Sequence, residues 1–528
     1  MRCAGVSGAT LMIGVPRRLR FFLPSISALL LFLAFPPAGL FPLVFICLVP
    51  WLICLRDAGA LRAAAASYIA GFVTIATTCY WLGIVTLAGL FVAAFIGGLY
   101  YAAFGALVAT FKESPVWRAL FAAALFAGLE FLRSRLFWLA FPWALLPHTL
   151  YRAPHLLQSA SIVGAFGTSF LIAAVNSFLA ETITRRRRKP SAAGLAVAFA
   201  LLLLPAAWMP KNRPSKDGFK ILVVQGNIPQ SVKELALEEA RGLLEMVANK
   251  SVKVMDDHIR LTEEALQQER PDLIVWPETM VPGALLLQPN RYARLCLCVK
   301  RWGAPLLLGS EHRYKCLPYN SALLLDPHNC LVRQRYDKTV LVPVGEYIPA
   351  QSLLPFFVYL VLQMMPYEPE DIQAGEQIRL FDVGKRRIYV PICFELSFDD
   401  VVREALDRGA DLVVNISNDA WFEDSAELDL AVAQGVLRAI ESRVPVVRCV
   451  NAGISCYISP SGRFKLLADK KGRTKQIEGV MWVEPENMGG VAPSRFLAEP
   501  TGWLLLMTPL LAWGLCLRRR RKYTIKQC

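Results

Sequence analysis

The sequence predicts an α-helical membrane bundle of about eight spans joined to an extracytoplasmic α/β domain. Three observations carry this prediction: an apolar composition, long apolar runs towards both ends of the chain, and alternating strand and helix patterns between them. Of the 528 residues, 55% are hydrophobic and 19% are charged, whereas a soluble globular chain is usually about 45–50% apolar and about 25% charged. The composition therefore excludes a disordered chain and an ordinary soluble enzyme.

The net charge of +15 is unevenly distributed along the chain. Residues 1–210 carry 16 Lys and Arg against 4 Asp and Glu, and residues 500–528 carry 6 basic residues and no acidic one. Residues 211–499 hold the remaining 35 of the 57 basic and 38 of the 42 acidic residues. Because the basic residues flank apolar segments, the pattern indicates membrane topology and argues against a nucleic-acid partner.

Eight apolar runs approach the roughly 20 residues that a helix needs to cross about 30 Å of hydrocarbon. The first two share a boundary at Phe35-Pro36-Pro37, so a re-entrant hairpin is an alternative there. The arginines before the first run would also allow a signal peptide, but no cleavage site of small residues follows. The predicted spans are residues 21–37, 39–55, 64–86, 88–111, 117–134, 156–181, 191–209 and 500–517.

The basic loops predict the orientation, because Lys and Arg concentrate on the cytoplasmic side. If the arginines at 17–20 are cytoplasmic, nearly all other basic clusters fall inside as well, and only the loop 135–155 places arginines outside. Both termini are then cytoplasmic. The chain divides into residues 1–209, a bundle of seven spans; 210–499, the outer domain; and 500–528, a final span with a basic tail.

One charged pair lies within a predicted span. Glu130 and Arg133 stand three residues apart on one helical face, and charges so close to a bilayer are costly unless they pair or face a wet cavity. An ion pair within the helix is one interpretation, and a role in docking a lipid headgroup is the other.

The outer domain alternates short apolar strands with helical stretches, which is typical of an α/β fold of layered sheets. Helices are predicted over 234–269, 398–408 and 426–443. Strands are predicted over 219–225, 272–276, 305–309, 321–326, 387–392, 412–416 and 444–450.

Three apolar strands of this domain are followed by reactive side chains. Glu278 follows the first, Lys338 and Glu346 lie in a turn-rich loop, and Cys393 ends a third strand. With only five His and without a Walker A, His-Glu-x-x-His or Cys-x-x-Cys motif, neither a phosphate-binding loop nor a metal site is indicated.

A thiol, an ammonium and a carboxylate form a workable catalytic set without histidine. The carboxylate of Glu278 can take the proton of Cys393, and the resulting thiolate can attack a carbonyl carbon. Lys338 and the backbone N–H of Phe394 can stabilise the oxyanion that follows. Taken singly, a cysteine at the end of a strand is more often a small buried hydrophobe, so the prediction depends on the combination.

The segments that carry these residues occur in an order that resembles the nitrilase superfamily. Together with the bundle and the final span, nearly all 528 residues resemble the apolipoprotein N-acyltransferase family of bacterial inner membranes. The segments are Trp276-Pro277-Glu278, Tyr336-Asp337-Lys338, Gly345-Glu346-Tyr347, Ile392-Cys393-Phe394-Glu395 and residues 415–422, with residues 224–230 and Tyr319-Asn320-Ser321 in addition.

The resemblance implies a nitrilase-like αββα sandwich for the outer domain. It also implies that an acyl chain passes from a glycerophospholipid, through a cysteine thioester, to the N-terminal α-amine of the diacylglyceryl cysteine of an apolipoprotein. The implied catalytic residues are Glu278, Lys338 and Cys393, and the implied supporting residues are Glu346, Phe394 and Glu395.

The same resemblance implies a membrane phospholipid and an apolipoprotein as partners, no cofactor or metal, a monomer, and a catalytic domain on the periplasmic side of the inner membrane. The sequence departs from the family pattern at Glu234, where an aromatic residue is usual. The apolar residues 356–362 and 364–366 suit a lid over the acyl site, and a buried core helix is the alternative.

Two other functions are compatible with parts of the sequence: a hydrolase of amides or nitriles, and a membrane receptor or transporter without catalysis. Eight spans have no use in a soluble amidase, and the complete set of Glu278, Lys338 and Cys393 argues against a non-catalytic protein. Of the seven cysteines in the outer domain, Cys393 must remain a thiol, and the pairing of the other six is left open.

Overall fold

The computed structural model of the chain describes residues 22–184, 189–207, 211–214, 217–231, 250–348 and 371–527. Two parts are present, as predicted: a set of apolar helices and an α/β domain of two sheets. Within the described ranges, six helices are long and apolar enough to cross a membrane. They are Ala60–Thr78, Leu87–Thr110, Pro115–Arg135, Ala160–Thr184, Lys189–Ala207 and the apolar part of Ser494–Gln527.

The predicted count of eight spans is not confirmed, because the first two predicted spans form short elements. The first is the helix Leu23–Ala34, whose 12 residues rise only about 18 Å. It ends just before Pro36 and Pro37, which cannot donate the hydrogen bonds that would extend it. The second is divided into Phe41–Phe45 and Val49–Leu55. This arrangement is closer to the re-entrant alternative than to two full spans.

The α/β domain contains thirteen described strands in two sheets. The first sheet has the order β13-β1-β2-β4-β5-β6, with β3 beside β4, and the second has the order β12-β11-β10-β9-β8-β7. The strands are β1 (Ile221–Gln225), β2 (Leu273–Val275), β3 (Val281–Ala284), β4 (Leu306–Tyr314), β5 (Leu317–Leu325), β6 (Val332–Asp337), β7 (Leu380–Val383), β8 (Arg386–Tyr389), β9 (Leu412–Asn418), β10 (Val446–Asn451), β11 (Cys456–Ile458), β12 (Phe464–Leu466) and β13 (Gly479–Val483).

Both sheets have a parallel centre flanked by antiparallel strands. In the first sheet β1, β2 and β4 run parallel, and in the second β8, β9 and β10 do. Strand β6 is antiparallel to β5, which is antiparallel to β4, so β6 runs in the same direction as β2. The strands that precede the three predicted catalytic residues are β2, β6 and β8. Each of them therefore runs in the same direction as the parallel strands of its own sheet.

The two sheets pack face to face. As a result, every residue of β1 is buried, and successive residues lie in two different cores. Ile221 and Val223 lie in the core between the sheets, whereas Leu222 and Val224 lie in a second core beneath the outer helices. Cys449 of the second sheet donates to the carbonyl oxygens of Val224 and Val275 in the first, at 3.4 and 3.3 Å. The period-two burial of a strand covered on both faces explains its unbroken apolar run.

A helical layer covers the outer face of each sheet, which completes an αββα sandwich. Helices Lys250–Leu266 and Pro289–Trp302 cover the first sheet. Helices Asp399–Asp407 and Ala426–Ser442 cover the second sheet and pack against the membrane helices. The sandwich therefore rests on the bundle through the helical layer of its second sheet.

Polar contacts join this layer to the bundle. Arg135 donates to Asp399 at 2.7 Å, and Arg152 donates to Asp429 at 3.2 Å. Glu441 accepts a hydrogen bond from the backbone N–H of Ala165, at a point where Gly164 interrupts the membrane helix with φ +71° and ψ −177°. The loop 135–155 was the exception to the predicted orientation, because it places arginines on the outer side. These arginines pair with carboxylates of the α/β domain.

The seven predicted strands correspond to β1, β2, β4, β5, β8, β9 and β10, and the helices predicted over 398–408 and 426–443 are confirmed. Of the helix predicted over 234–269, the structure describes Lys250–Leu266. Glu234 and the predicted lid at 356–366 lie outside the described residues. The cysteine pairing that was left open includes one disulfide, between Cys296 and Cys330.

Candidate active site

The predicted site residues meet where strands of both sheets end. Glu278 lies three residues after β2, Lys338 directly follows β6, and Cys393 follows the β8 segment, where Ile392 still pairs with Ile416 of β9. Because parallel strands present their carboxyl ends at one edge of a sheet, residues distant in sequence come together there.

Glu278 is 7% exposed and is held at both carboxylate oxygens. Its Oε1 accepts from Asn320 Nδ2 at 2.7 Å, and its Oε2 accepts from the backbone N–H of Asn418 at 2.9 Å. Gly309 lies beneath it, where a Cβ atom would stand 2.6 Å from the Cα of Glu278. A side chain at position 309 would therefore displace the carboxylate.

Lys338 is almost wholly buried, at 1% exposure, and its Nζ donates to Glu346 Oε1 at 2.8 Å. Burial by itself would lower the lysine pKa, but the electrostatic interactions with Glu346, Cys393 and Glu278 outweigh it, so the pKa of Lys338 is raised. Glu346 also accepts from Asn320 Nδ2 at 3.0 Å and from the Val342 N–H at 2.8 Å. Lys338 is thus a fixed cation.

Cys393 begins the short helical turn Cys393–Ser397 with a positive φ of +52°, a conformation that non-glycine residues rarely adopt. Asn415 Nδ2 donates to its carbonyl oxygen at 3.3 Å. Burial raises the pKa of the Cys393 thiol, and the carboxylate of Glu278 raises it further, while Lys338 lowers it. The higher pKa favours the protonated form of the Cys393 thiol.

Glu395 connects the turn Cys393–Ser397 to the segment that carries Lys338. Its Oε1 accepts from the Tyr336 hydroxyl at 2.7 Å and from the Thr339 N–H at 2.7 Å. Its Oε2 accepts from the Ile392 N–H at 2.8 Å. The carboxylate therefore joins the end of β6 to Ile392, the residue before Cys393. The ring of Phe394 packs on Phe398 at 4.9 Å.

A cavity of about 320 Å³ opens beside Cys393 and Phe394 and extends into the bundle. Its walls on the membrane side come from the end of helix Ala60–Thr78, from residues 81–86 and from the first half of helix Leu87–Thr110. The lining reaches Tyr100, 13 residues into the last of these helices, which is about 20 Å at 1.5 Å per residue. An extended apolar chain could therefore lie between the thiol and the membrane helices.

Several polar residues of this site were not singled out from the sequence. Asn320 joins Glu278 to Glu346, and its presence in the Tyr319-Asn320-Ser321 segment was the available signal. Arg448 donates to Asn415 at 3.1 Å and to Asp419 at 3.2 Å. These two partners lie in the quoted segment 415–422, but Arg448 itself had no such signal, because the strand pattern of the sequence does not indicate buried charge.

The pair Glu130 and Arg133 does not form the ion pair that was the first interpretation. Glu130 accepts from the backbone N–H of Leu146 at 3.1 Å, whereas Arg133 lines the cavity. Concerning metals, the described part of the chain contains no group of three His, Cys, Asp or Glu residues placed to hold an ion.

The fold and this site define a carbon–nitrogen hydrolase domain carried by a bundle of apolar helices. Family models agree with both parts: the apolipoprotein N-acyltransferase N-terminal domain matches residues 27–178, and carbon-nitrogen hydrolase matches residues 223–478. The αββα domain therefore has the nitrilase-superfamily fold that the sequence predicted.

Relatives narrow this class to one family. An apolipoprotein N-acyltransferase of Geobacter metallireducens is 33% identical over 479 residues, covering 85% of this chain and 87% of the relative. One from Brucella suis is 31% identical over 517 residues, covering 91% of each chain. The chain belongs to the apolipoprotein N-acyltransferase family.

Solved structures of an amidase from Nesterenkonia sp. AN1 are also similar to the α/β domain. One of them is 17% identical, covers 50% of this chain and 92% of its own, and has a TM-score of 0.35. This likeness is too slight to bear on activity.

Proposed function

We propose that the protein moves a fatty acyl chain from a glycerophospholipid to the N-terminal α-amine of the diacylglyceryl cysteine of apolipoproteins, with a thioester on Cys393 as the intermediate. The observation that carries this proposal is the cavity that joins Cys393 to the membrane helices. An amidase acting on a soluble amide has no need of such a connection, whereas both lipid substrates reside in the bilayer.

In the first step, Glu278 accepts the Cys393 proton and the thiolate attacks the carbonyl carbon of a lipid ester. The oxyanion of the tetrahedral intermediate lies against the Lys338 ammonium and the Phe394 N–H. Its collapse breaks the bond to the glycerol oxygen, which takes the proton from Glu278 and leaves as a lysophospholipid. The acyl chain remains on sulfur as a thioester.

In the second step, the α-amine of the apolipoprotein cysteine attacks the thioester carbonyl and Glu278 takes a proton from the nitrogen. The sulfur leaves, an amide forms, and the proton returns from Glu278 to the Cys393 thiol. Lys338, held by Glu346 at 2.8 Å, keeps its charge through both steps. Glu395 takes part only by fixing the two segments that carry Lys338 and Cys393.

The same proposal gives the protein an orientation in the bacterial inner membrane, as a monomer. Residues 210–499 would face the periplasm, between the bundle of residues 1–209 and the final span with its basic cytoplasmic tail at 500–528. The distribution of Lys and Arg supports this orientation. The disulfide between Cys296 and Cys330 supports it as well, since disulfides persist in oxidising compartments.

The test is to incubate the purified protein in detergent with phospholipid alone and to measure the mass of the peptide that carries Cys393. We expect an added acyl group that hydroxylamine removes. Cys393→Ala should abolish the adduct, and Lys338→Ala should slow its formation by about 10²-fold or more, since removal of preorganised charge stabilisation has that effect. Cys316→Ala, at an exposed free cysteine, is the matched control. A folded wild-type protein with a titratable thiol and no adduct would contradict the proposal.

A further inference from the structure

The cavity beside Cys393 is not purely apolar. Among the described residues, six of its lining side chains have a buried nitrogen or oxygen without a hydrogen-bond partner. Four of the six atoms are N–H donors, which cannot satisfy one another. A ligand rich in acceptor oxygens would satisfy them. The atoms are Trp81 Nε1, the Tyr100 hydroxyl, Arg133 Nη1, Glu427 Oε2, Gln434 Nε2 and Arg448 Nη1.

The two arginines differ in how their charge is balanced. Arg448, on the α/β side, is paired with Asp419 at 3.2 Å. Arg133, on the bundle side, is 5% exposed. Glu130 offsets part of its charge through space, but that carboxylate accepts its hydrogen bond from the Leu146 N–H, and Arg133 Nη1 has no hydrogen-bond partner among the described residues. A buried cation with an unsatisfied donor is costly in a medium of low polarity, so Arg133 brings an unsatisfied, charged N–H donor to the cavity.

The surroundings of Arg133 suit an anion from the membrane interface. Its guanidinium lies 5.8 Å from the ring centre of Phe141, and Trp81, 2% exposed, lines the same cavity. Arg133 stands in the last turn of helix Pro115–Arg135, next to Arg135, which pairs with Asp399 of the α/β domain. This is the level at which the bundle meets the domain, and in the proposed orientation lipid phosphates lie at that level.

We propose that Arg133, with the indole N–H of Trp81, binds the phosphodiester of the acyl donor while the reacting ester lies at Cys393. This inference rests on the proposed function and adds a donor requirement: a diacylglycerol with the same acyl chains but no phosphate is a poor substrate. Arg133 acts in binding and not in the chemical steps, so its loss should appear in KM before kcat.

The experiment compares two donors, a phospholipid and the diacylglycerol with identical chains, by the rate of acyl-adduct formation on Cys393. In the wild type the phospholipid should react at least about 10-fold faster. Arg133→Gln should slow the phospholipid by about 10- to 100-fold, mainly through KM, as expected for the loss of a charge-assisted hydrogen bond. It should leave the diacylglycerol rate within about twofold, because that donor has no phosphate to lose. Arg463→Gln, at an exposed arginine away from the cavity, is the matched control.

Other outcomes would overturn the inference in distinguishable ways. If the ratio of the phospholipid rate to the diacylglycerol rate is the same in Arg133→Gln as in the wild type, the arginine does not bind the phosphate. Equal inhibition of both donors by added inorganic phosphate would assign the site to the free anion. If Arg133→Gln does not fold, Trp81→Phe removes one donor alone and should lower the same ratio by about 2- to 5-fold. If no donor acylates wild-type Cys393, the proposed function itself fails, and this inference fails with it.

Discussion

Two helices on opposite faces of the sandwich show how differently the domain meets water and the bundle. In Pro289–Trp302 the buried residues lie on one stripe, including Leu295, Val299 and Trp302, as in any helix with one wet face. In Ala426–Ser442 every residue from 426 to 441 is buried, charged ones included. A charged helix that is buried all round indicates a second packing partner, which here is the bundle.

Three buried charges of the bundle-facing helix, Asp429, Arg438 and Glu441, have partners outside that helix or one turn along it. Asp429 accepts from Arg152 and from the Tyr151 hydroxyl at 2.9 Å. Arg438 pairs with Glu441 at 2.9 Å, and Glu441 accepts from the Ala165 N–H. Such pairs cost desolvation, so they stabilise little compared with apolar packing. Their directionality fixes where the domain sits on the bundle.

The largest test of this comparison is Glu441→Ala. The change leaves Arg438 and the Ala165 N–H without their carboxylate, and we expect a loss of about 3–5 kcal/mol in stability, as for other broken buried pairs. Thermal unfolding in detergent measures it. The matched change in the solvent-facing helix is Arg294→Ala, which breaks a largely exposed pair with Asp256 and should cost about 0–1 kcal/mol. Equal losses of stability in the two variants would contradict the distinction between the bundle-facing and the solvent-facing helix.

The next effect is a dependence on pH. Burial would raise the pKa of Asp399, but Arg135 and Arg438 outweigh it and lower the pKa from 3.8 to about 2. A carboxyl whose folded pKa is depressed stabilises the protein above its unfolded pKa and stops doing so as the pH falls through the folded value. We therefore expect Asp399 to contribute about 2 kcal/mol that disappears between about pH 4 and pH 2.

Unfolding of wild type and Asp399→Asn across this pH range measures that contribution. The variant should lack the component of the pH dependence that Asp399 supplies. Asp469→Asn is the control, because Asp469 pairs with Arg473 at the surface and surface pairs stabilise little. A variant with the same acid sensitivity as the wild type would contradict the assignment.

A third effect, of similar size, is expected at Gly164, where the membrane helix is interrupted so that Glu441 can reach the Ala165 N–H. Its φ of +71° excludes most side chains, and a Cβ atom would lie 2.6 Å from that of Ala498. Gly164→Ala should therefore destabilise the protein by about 1–3 kcal/mol, measured by the same thermal unfolding. Gly489→Ala, where a Cβ atom meets nothing within 4 Å, should be nearly neutral. A neutral Gly164→Ala would mean that the helix can close without the kink.

The same comparison explains what the sequence could predict. The strands of the parallel centre contain short apolar runs bounded by turns, so their pattern identified them. Strand β6, which leads to Lys338, is polar and partly exposed (Val-Arg-Gln-Arg-Tyr-Asp), and its pattern gave no prediction. The motifs around Glu278, Lys338 and Cys393 identified the candidate site even where the strand did not.

Contacts between the helical bundle and the α/β domain could not be predicted from the sequence. Arg135 and Arg152 seemed to contradict the basic-inside rule because their partners, Asp399 and Asp429, lie more than 260 residues away. Likewise, the spacing of Glu130 and Arg133 favoured a local ion pair, while the fold provides Glu130 with a backbone donor and Arg133 with a cavity. Local periodicity carries no information about such distant partners.

Asn320 has a consequence for how the site is held together. A single amide nitrogen donates to Glu278 at 2.7 Å and to Glu346 at 3.0 Å, and Glu346 in turn holds Lys338. One side chain from β5 therefore links residues that follow two other strands of the same sheet. A substitution at position 320 would loosen Glu278 and, through Glu346, Lys338 in a single change.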